Sequence, residues 1–313
     1  MADQVIQLAP GTQLEQYRIE RTLSAGGFSV VYYAEDMQRH SAVVIKEYFP
    51  QRLAQRTRAN KIVPIKPSLA DAFREGRKLF FQEASILGDL KHPNIVEVIN
   101  FFDANDTVYM VMDYKPGKNL QFYIKQNQGK LSEVFIRTIF PPLLEGLAVV
   151  HAAGMLHLDI KPGNIHLMPG GQPLLLDFGA VHRMQVSRIL QPIPVVTEGF
   201  SPVEQHDPKG YVGPWTDIYA VGATMRACIE GSSPPHSRLR YESDPLKPAQ
   251  IAFKRRYSKS LLFAIDRAME VDPLLRPQSV EKLLELLMVD QNDNNDQTSM
   301  LGKLVSNFPW TGQ

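Results

Sequence analysis

The spacing of apolar residues changes partway along this chain, and that change limits the fold more than any single motif. From Tyr17 to Met112 the spacing is mostly that of strands: Tyr17, Ile19 and Leu23 alternate, and Val30-Val-Tyr-Tyr and Ala42-Val-Val-Ile read as strands. A glycine-bearing turn, Ser24-Ala-Gly-Gly, joins the first two. Ile95 to Phe102 and Thr107 to Met112 are further strands, separated by a turn of Asp103, Asn105 and Asp106. Residues 71–90 interrupt the pattern with helical spacing, placing Phe73, Leu79, Phe80, Ile86, Leu87 and Leu90 on one side. From Leu131 onward the pattern predicts helices at 133–153, 217–230, 258–270 and 278–289. About five strands set apart from a run of helices predict an α+β chain in two lobes, which 313 residues can accommodate.

Composition removes several function classes. Thirty-four Lys and Arg against 33 Asp and Glu leave a net charge of +1, so no nucleic acid partner is expected. Cys228 is the single cysteine, which excludes an internal disulfide and fits a small core residue in a reducing, cytoplasmic setting. No apolar run nears the roughly 18 residues of a membrane span, and Met1-Ala-Asp-Gln lacks the parts of a signal peptide. Residues 1–16 read as an N-terminal extension and 290–313 as a flexible polar tail, in which Leu301, Leu304, Phe308 and Trp310 could dock.

Two charges sit where the pattern calls for apolar residues. Lys46 shares its strand parity with Val44, so it should face the way of a buried residue. Glu83 has Leu79, Phe80, Ile86 and Leu87 as its i±3 and i±4 neighbours. A lone buried charge costs several kcal/mol, so pairing the two is the economical solution.

Residues 157–164 read His-Leu-Asp-Ile-Lys-Pro-Gly-Asn, and Asp177-Phe-Gly follows thirteen positions after Asn164. With Val43-Val-Ile-Lys, Glu83, His92-Pro-Asn, Ser201-Pro-Val-Glu, Asp217-Ile-Tyr-Ala-Val-Gly and Asp272-Pro-Leu-Leu-Arg-Pro, these motifs stand in the order of the protein kinase family. Over about residues 17–288 the chain resembles that family, and in particular the bacterial serine/threonine kinases that are similar to eukaryotic ones. The resemblance implies a small sheet-rich lobe at 17–112, a mainly helical large lobe at 113–289, and transfer of the γ-phosphoryl group of ATP to serine or threonine of protein substrates. Lys46 would hold the α and β phosphates and Glu83 would fix Lys46. Asn164 and Asp177 would ligate Mg2+, with Mn2+ as an alternative, since both are hard oxygen donors. Asp159 would accept the proton of the substrate hydroxyl, Lys161 would stabilise the γ phosphate, and Thr197 would contact both. The nucleotide would meet Leu23, Gly26, Gly27, Phe28, Val31, Val44, Met112, Asp113 and Tyr114, the last two through backbone hydrogen bonds. Glu204 and Arg276 resemble the ion pair that anchors the end of the activation segment.

Three departures qualify the resemblance. The family's Gly-x-Gly-x-x-Gly appears as Ser24-Ala-Gly-Gly-Phe-Ser, with serine at both outer positions. Leu158 stands where many kinases carry an arginine that collects an activating phosphate, so activity is expected not to depend on phosphorylation of the activation segment, where Ser187 is the one hydroxyl without a motif role. Residues 47–70 form a basic insertion, with Arg52, Arg56, Arg58, Lys61 and Lys66, that resembles one in a subset of bacterial kinases; control could come from it, from the tail or from a regulatory partner. The first two departures keep open a pseudokinase, a nucleotide-binding scaffold without catalysis. The basic cluster Lys254-Arg255-Arg256 reads as a solvated face, and Asp217 as a helix N-cap or a tie to the catalytic loop.

Overall fold

A computed structural model describes residues 7–178, 182–183, 196–207 and 210–289. The chain divides into two compact units, the first formed by 1–91 with 96–115 and the second by 92–95 with 116–313.

In the first unit the strands are β1 (Gln13–Leu14), β2 (Tyr17–Ala25), β3 (Ser29–Asp36), β4 (Ser41–Tyr48), β5 (Ala54–Arg56) and β6 (Ile62–Pro64); helix α1 (Ala70–Asp89) precedes β7 (Val98–Ala104) and β8 (Thr107–Asp113). Six of them form one antiparallel sheet in the order β1-β2-β3-β4-β8-β7, one strand more than expected because the two-residue β1 is added at the edge. The tight β7–β8 turn places Asn105 and Asp106 at φ 52° and 60°, a left-handed conformation these residue types tolerate. The basic insertion is ordered, and β5 and β6 pair within it as a separate hairpin.

Cross-strand partners share a face, so the pairs Val31↔Lys46 and Val44↔Met112 put these four side chains on one side of the sheet. Tyr32↔Ile45 and Glu47↔Tyr109 share the other side. Helix α1 packs on the Lys46 face, burying Phe73, Phe80, Ala84 and Leu87. Gly76 admits Tyr48 there, since a Cβ would lie 2.0 Å from the Tyr48 hydroxyl. Burial among Phe73 and Phe80 pushes the Tyr48 phenol up to about 12.

The second unit contains β9 (Lys118–Asn119), α2 (Leu120–Gln126), α3 (Glu133–Ala152), β10 (Met155–Leu156), β11 (Ile165–Leu167), β12 (Pro173–Leu175) and β13 (His182–Arg183), then α4 (Pro214–Glu230), α5 (Ser237–Glu242), α6 (Ala249–Ala252), α7 (Lys259–Ala268) and α8 (Val280–Met288). Asn119, Ser132 and Ser258 cap α2, α3 and α7 by accepting amide hydrogen bonds, and Gly231 at φ 91° ends α4. Helix α4 is buried from Thr216 to Ile229, with Cys228 inside it as a core thiol.

Helix α3 comes near membrane-span composition, although Glu133, Arg137 and Glu145 interrupt it and leave no continuous apolar run of that length. It has 20 residues and is the one helix among the described residues long and apolar enough to cross a membrane by length and composition. Half of it is buried, with Phe135, Ile139, Phe140, Leu143 and Leu147 in a core shared with α8 and β12, which explains its apolarity. Strands β9–β13 and helices α2, α5 and α6 escape the sequence pattern because two to seven residues hold too little periodicity.

Candidate active site

In the first unit, Lys46 Nζ lies 3.7 Å from Glu83 Oε1, with side chains only 7% and 10% exposed, and the Phe80 ring 5.7 Å from the ammonium. The two charges that break the apolar pattern meet each other. On the Lys46 face Val31, Val44 and Met112 are half-buried, whereas Val43 and Ile45 opposite are fully buried. Val44 is therefore a less buried neighbour of Lys46 than its parity suggested. This leaves an apolar shelf beside the ammonium that is only partly covered.

Leu23 and Phe28 are 42% and 51% exposed, next to the turn that carries Gly26 and Gly27. Neither glycine adopts a left-handed φ, and a Cβ on either would meet nothing closer than 3.7 Å. The fold without ligand thus does not demand glycine at these positions, and a bare backbone suits close approach of a ligand. Asp113 pairs with Lys115 at 2.6 Å and donates its amide to Glu97 O, and Tyr114 packs edge-on against Tyr33.

In the second unit the loop at 157–164 is built around a buried carboxylate. Asp217 accepts hydrogen bonds from Leu158 N at Oδ1 and from His157 N and His151 Nε2 at Oδ2, each at 2.8 Å. Burial alone would raise its pKa, but the His151 hydrogen bond and the nearby histidines hold it below the usual carboxylate range. Asp217 is not the N-cap of α4, since Gly213 occupies that position four residues before it. Leu158 has φ 60°, a conformation a β-carbon disfavours, and Gln205 Nε2 holds its carbonyl at 2.6 Å. His157 Nδ1 accepts from Asp159 N at 3.2 Å, so its proton sits on Nε2, which donates to Leu176 O. Burial pushes the His157 pKa down, and the surrounding carboxylates do not reverse it.

Asp159, 8% exposed, collects donors from three residues. Lys161 Nζ reaches its two oxygens at 2.9 and 2.8 Å, Thr197 Oγ1 donates at 2.7 Å, and Asn164 Nδ2 at 2.9 Å. Lys161 also reaches Thr197 Oγ1 at 3.1 Å. The Asn164 amide nitrogen is further engaged by Asp159 O at 2.8 Å, which directs its carbonyl oxygen away from Asp159. Asp177 is exposed at φ 63°. Among the described residues no three His, Cys, Asp or Glu side chains gather to hold a metal. A magnesium ion suits the pair Asn164 and Asp177, because it takes one or two hard protein oxygens and completes its shell with water and substrate phosphates.

The supporting motifs also meet. Arg276 grips Glu204 with two nitrogens, at 2.7 and 3.2 Å, and Thr216 Oγ1 donates to the same carboxylate. Lys254, Arg255 and Arg256 are exposed. Ser187 lies outside the described residues. Sequence reasoning missed Gln205 and His151, whose partners are 47 and 66 positions away, and a buried network around Glu47.

The protein kinase domain family matches residues 17–289. Serine/threonine-protein kinase PknA of Nostoc is 31% identical over 285 residues, covering 88% of this chain and 47% of that protein. Serine/threonine-protein kinase D of Synechocystis is 30% identical over 288 residues, with 88% and 52% covered. The chain spans about half the length of these curated relatives. Among solved structures, the apo form of PpkA-294 superposes with a TM-score of 0.79 at 34% identity, over 90% of this chain and 99% of that one.

Proposed function

The chain belongs to the protein kinase family, and from that premise we propose that it transfers the γ-phosphoryl group of ATP to serine or threonine hydroxyls of proteins. The observation that carries the proposal is the Asp159–Lys161–Thr197–Asn164 constellation, whose four side chains converge through hydrogen bonds of 2.7 to 3.1 Å. Phosphoryl transfer needs little covalent chemistry from the protein and much positioning of charge. Asp159 supplies an acceptor for the proton of the incoming hydroxyl, and Thr197 keeps that carboxylate oriented. Lys161, whose side chain is 28% exposed, swings from Asp159 to the γ phosphate. Lys46, held by Glu83, binds the α and β phosphates, and Val31, Val44 and Met112 offer the adenine an apolar face. Asn164 and Asp177 are the donors for Mg2+ or Mn2+; when bound, the ion neutralises phosphate charge. The names of the curated relatives support serine and threonine as acceptors.

The same reading includes activity that does not depend on phosphorylation of the activation segment. Leu158 offers a phosphate no cation, and its backbone is held by Asp217 and Gln205 instead. At the described end of the segment, Thr197 is held by Asp159 and Ser201, and Glu204 by Arg276, through side chains and backbone of the chain itself.

One experiment tests both parts: labelled ATP, Mg2+ and a generic basic protein are incubated with wild type, phosphatase-treated wild type and Asp159→Asn. Wild type and the treated sample should transfer equally, while Asp159→Asn should lose about 10²- to 10⁴-fold in turnover and keep its ATP affinity. No transfer by wild type would leave a nucleotide-binding scaffold, and a loss of about tenfold on phosphatase treatment, equivalent to about 1.4 kcal/mol, would sink the independence.

A further inference from the structure

Residues 49–56, at the start of the basic insertion, make hydrogen bonds in two directions. Toward the glycine turn, Phe49 N donates to Phe28 O at 3.0 Å, Gln51 N to Gly27 O at 2.9 Å, and Gln51 Nε2 to Gly26 O at 2.7 Å. Three successive carbonyls of the turn are therefore taken by this one segment. Toward the sheet, the Arg56 guanidinium is fully buried against Glu47, with Nη2 2.5 Å from Oε2 and Nη1 3.1 Å from Oε1. Tyr32 and Tyr109 donate their hydroxyls to the same carboxylate at 2.8 and 2.6 Å, and Leu8 N in turn donates to Tyr32. Glu47 is the neighbour of Lys46 in β4 and points to the opposite face. Phe49, fully buried and 5.2 Å below the Arg56 guanidinium, links the two sets of bonds.

A planar trans peptide directs its C=O and the following N–H to opposite sides. When the carbonyls of Gly26 and Gly27 turn toward Gln51, the amides of Gly27 and Phe28 turn away from it, onto the side the segment leaves uncovered. Successive amides presented in this way suit an anion. We propose that residues 49–56 are a strap, anchored on the Glu47–Arg56 pair, that presets the glycine turn to receive nucleotide phosphates, with Gln51 as the positioning residue. The proposal rests on reading that turn as the phosphate-binding loop. It gives the insertion a task in the reaction and explains how the turn works with Ser24 and Ser29 where the family has glycine: a turn ordered in advance loses less freedom when the ligand arrives.

The test uses the full chain in two arms. In the first, without nucleotide, amide exchange at Phe49 and Gln51 is measured for wild type, Gln51→Ala and the isosteric Gln51→Glu, which replaces the donor with an acceptor. Both amides should be protected in wild type and exchange about fivefold faster in Gln51→Ala, the equivalent of one neutral hydrogen bond, and faster still in Gln51→Glu. In the second arm, calorimetry should show ATP with Mg2+ binding about fivefold more weakly to Gln51→Ala, with the melting midpoint and the turnover at saturating ATP preserved. Unprotected amides in wild type would overturn the strap. So would a Gln51→Glu protein whose amides loosen while its ATP affinity stays at the wild-type value, because the strap would then not serve the nucleotide. A wild type that binds no ATP would overturn the phosphate-loop reading and the inference with it, and the exchange arm, which needs no ligand, tells that failure from the absence of a strap.

Discussion

Replacing Asp217 with asparagine should remove about 3 kcal/mol or more of stability and slow phosphoryl transfer without changing ATP affinity. The carboxylate is fully buried and accepts three hydrogen bonds, two at Oδ2 and one at Oδ1. An asparagine keeps one oxygen and presents an NH2 group in place of the other. If the oxygen stays toward Leu158, the bonds from His157 N and His151 are both lost, at about 1.5 to 3 kcal/mol for each bond to a charged group. A change of tautomer at His151 would recover about 1 kcal/mol. If the amide flips, only the Leu158 bond is lost, but the new NH2 group then faces the Leu158 N–H, and two buried donors left without an acceptor cost about 1 to 3 kcal/mol more. Both orientations lead to a similar loss, a large part of the 5 to 15 kcal/mol typical of a folded domain. The assay is urea unfolding followed by the fluorescence of Trp215, which lies two positions before Asp217 on α4, combined with turnover and ATP binding. Because Leu158 directly precedes Asp159, the loss of function should appear in kcat. A stability loss below about 1 kcal/mol with unchanged kcat would refute the view that Asp217 holds the catalytic loop in place.

Two further outcomes are expected. At 3.7 Å the Lys46–Glu83 pair is worth about 1 kcal/mol at the dielectric constant of water and about 4.5 kcal/mol at an effective value of 20; a cycle of Lys46→Met, Glu83→Gln and the double variant, read by urea unfolding, should give a coupling within that range, and purely additive losses would show that the two do not act together. Burial lowers the pKa of His157, so the unfolded chain takes up a proton that the folded chain refuses. Stability should thus be full above about pH 6.5, the ordinary histidine value, and decline as the pH falls below it. The unfolding midpoint should be lower at about pH 5.5 than at about pH 7.5, and His157→Gln should flatten the difference; a level wild-type profile over that interval contradicts the assignment.

What could be read from the sequence depended on whether a residue broke a pattern locally. Lys46 and Glu83 stood out because each occupies an apolar position, and their pairing followed from the cost of burying either alone. Glu47 obeys the same logic, since its parity places it with Val43 and Ile45 on the buried face. Its partner was harder to find. Arg56 sits among Arg52, Arg58, Lys61 and Lys66, and nothing local distinguishes the one buried guanidinium from its exposed basic neighbours. For Asp217 the sequence left two roles open, and the position of Gly213 as N-cap decides between them. Gln205 gave no signal at all, because its task is to hold a carbonyl 47 positions away. The ladder β2-β3-β4 and the long helices were legible because eight or more residues repeat a period; the two- and three-residue strands of the second unit arise from tertiary placement of loops.

The neighbouring charges of β4 also bear on how Lys46 reaches its position. Lys46 and Glu47 point to opposite faces, each buried and each paired with an opposite charge, Lys46 with Glu83 on α1 and Glu47 with Arg56 on the hairpin. A slip of β4 by one residue would exchange their faces. Glu47 would then face Glu83, and Lys46 would face Arg56, leaving like charges confronted on both sides where water cannot screen them. An apolar strand such as Val43-Val-Ile could tolerate that slip with little loss, because both of its faces bury carbon. The alternating charge pair makes the wrong register costly on both faces at once, so the residues that place Lys46 against Glu83 include the carboxylate on the far side of the sheet.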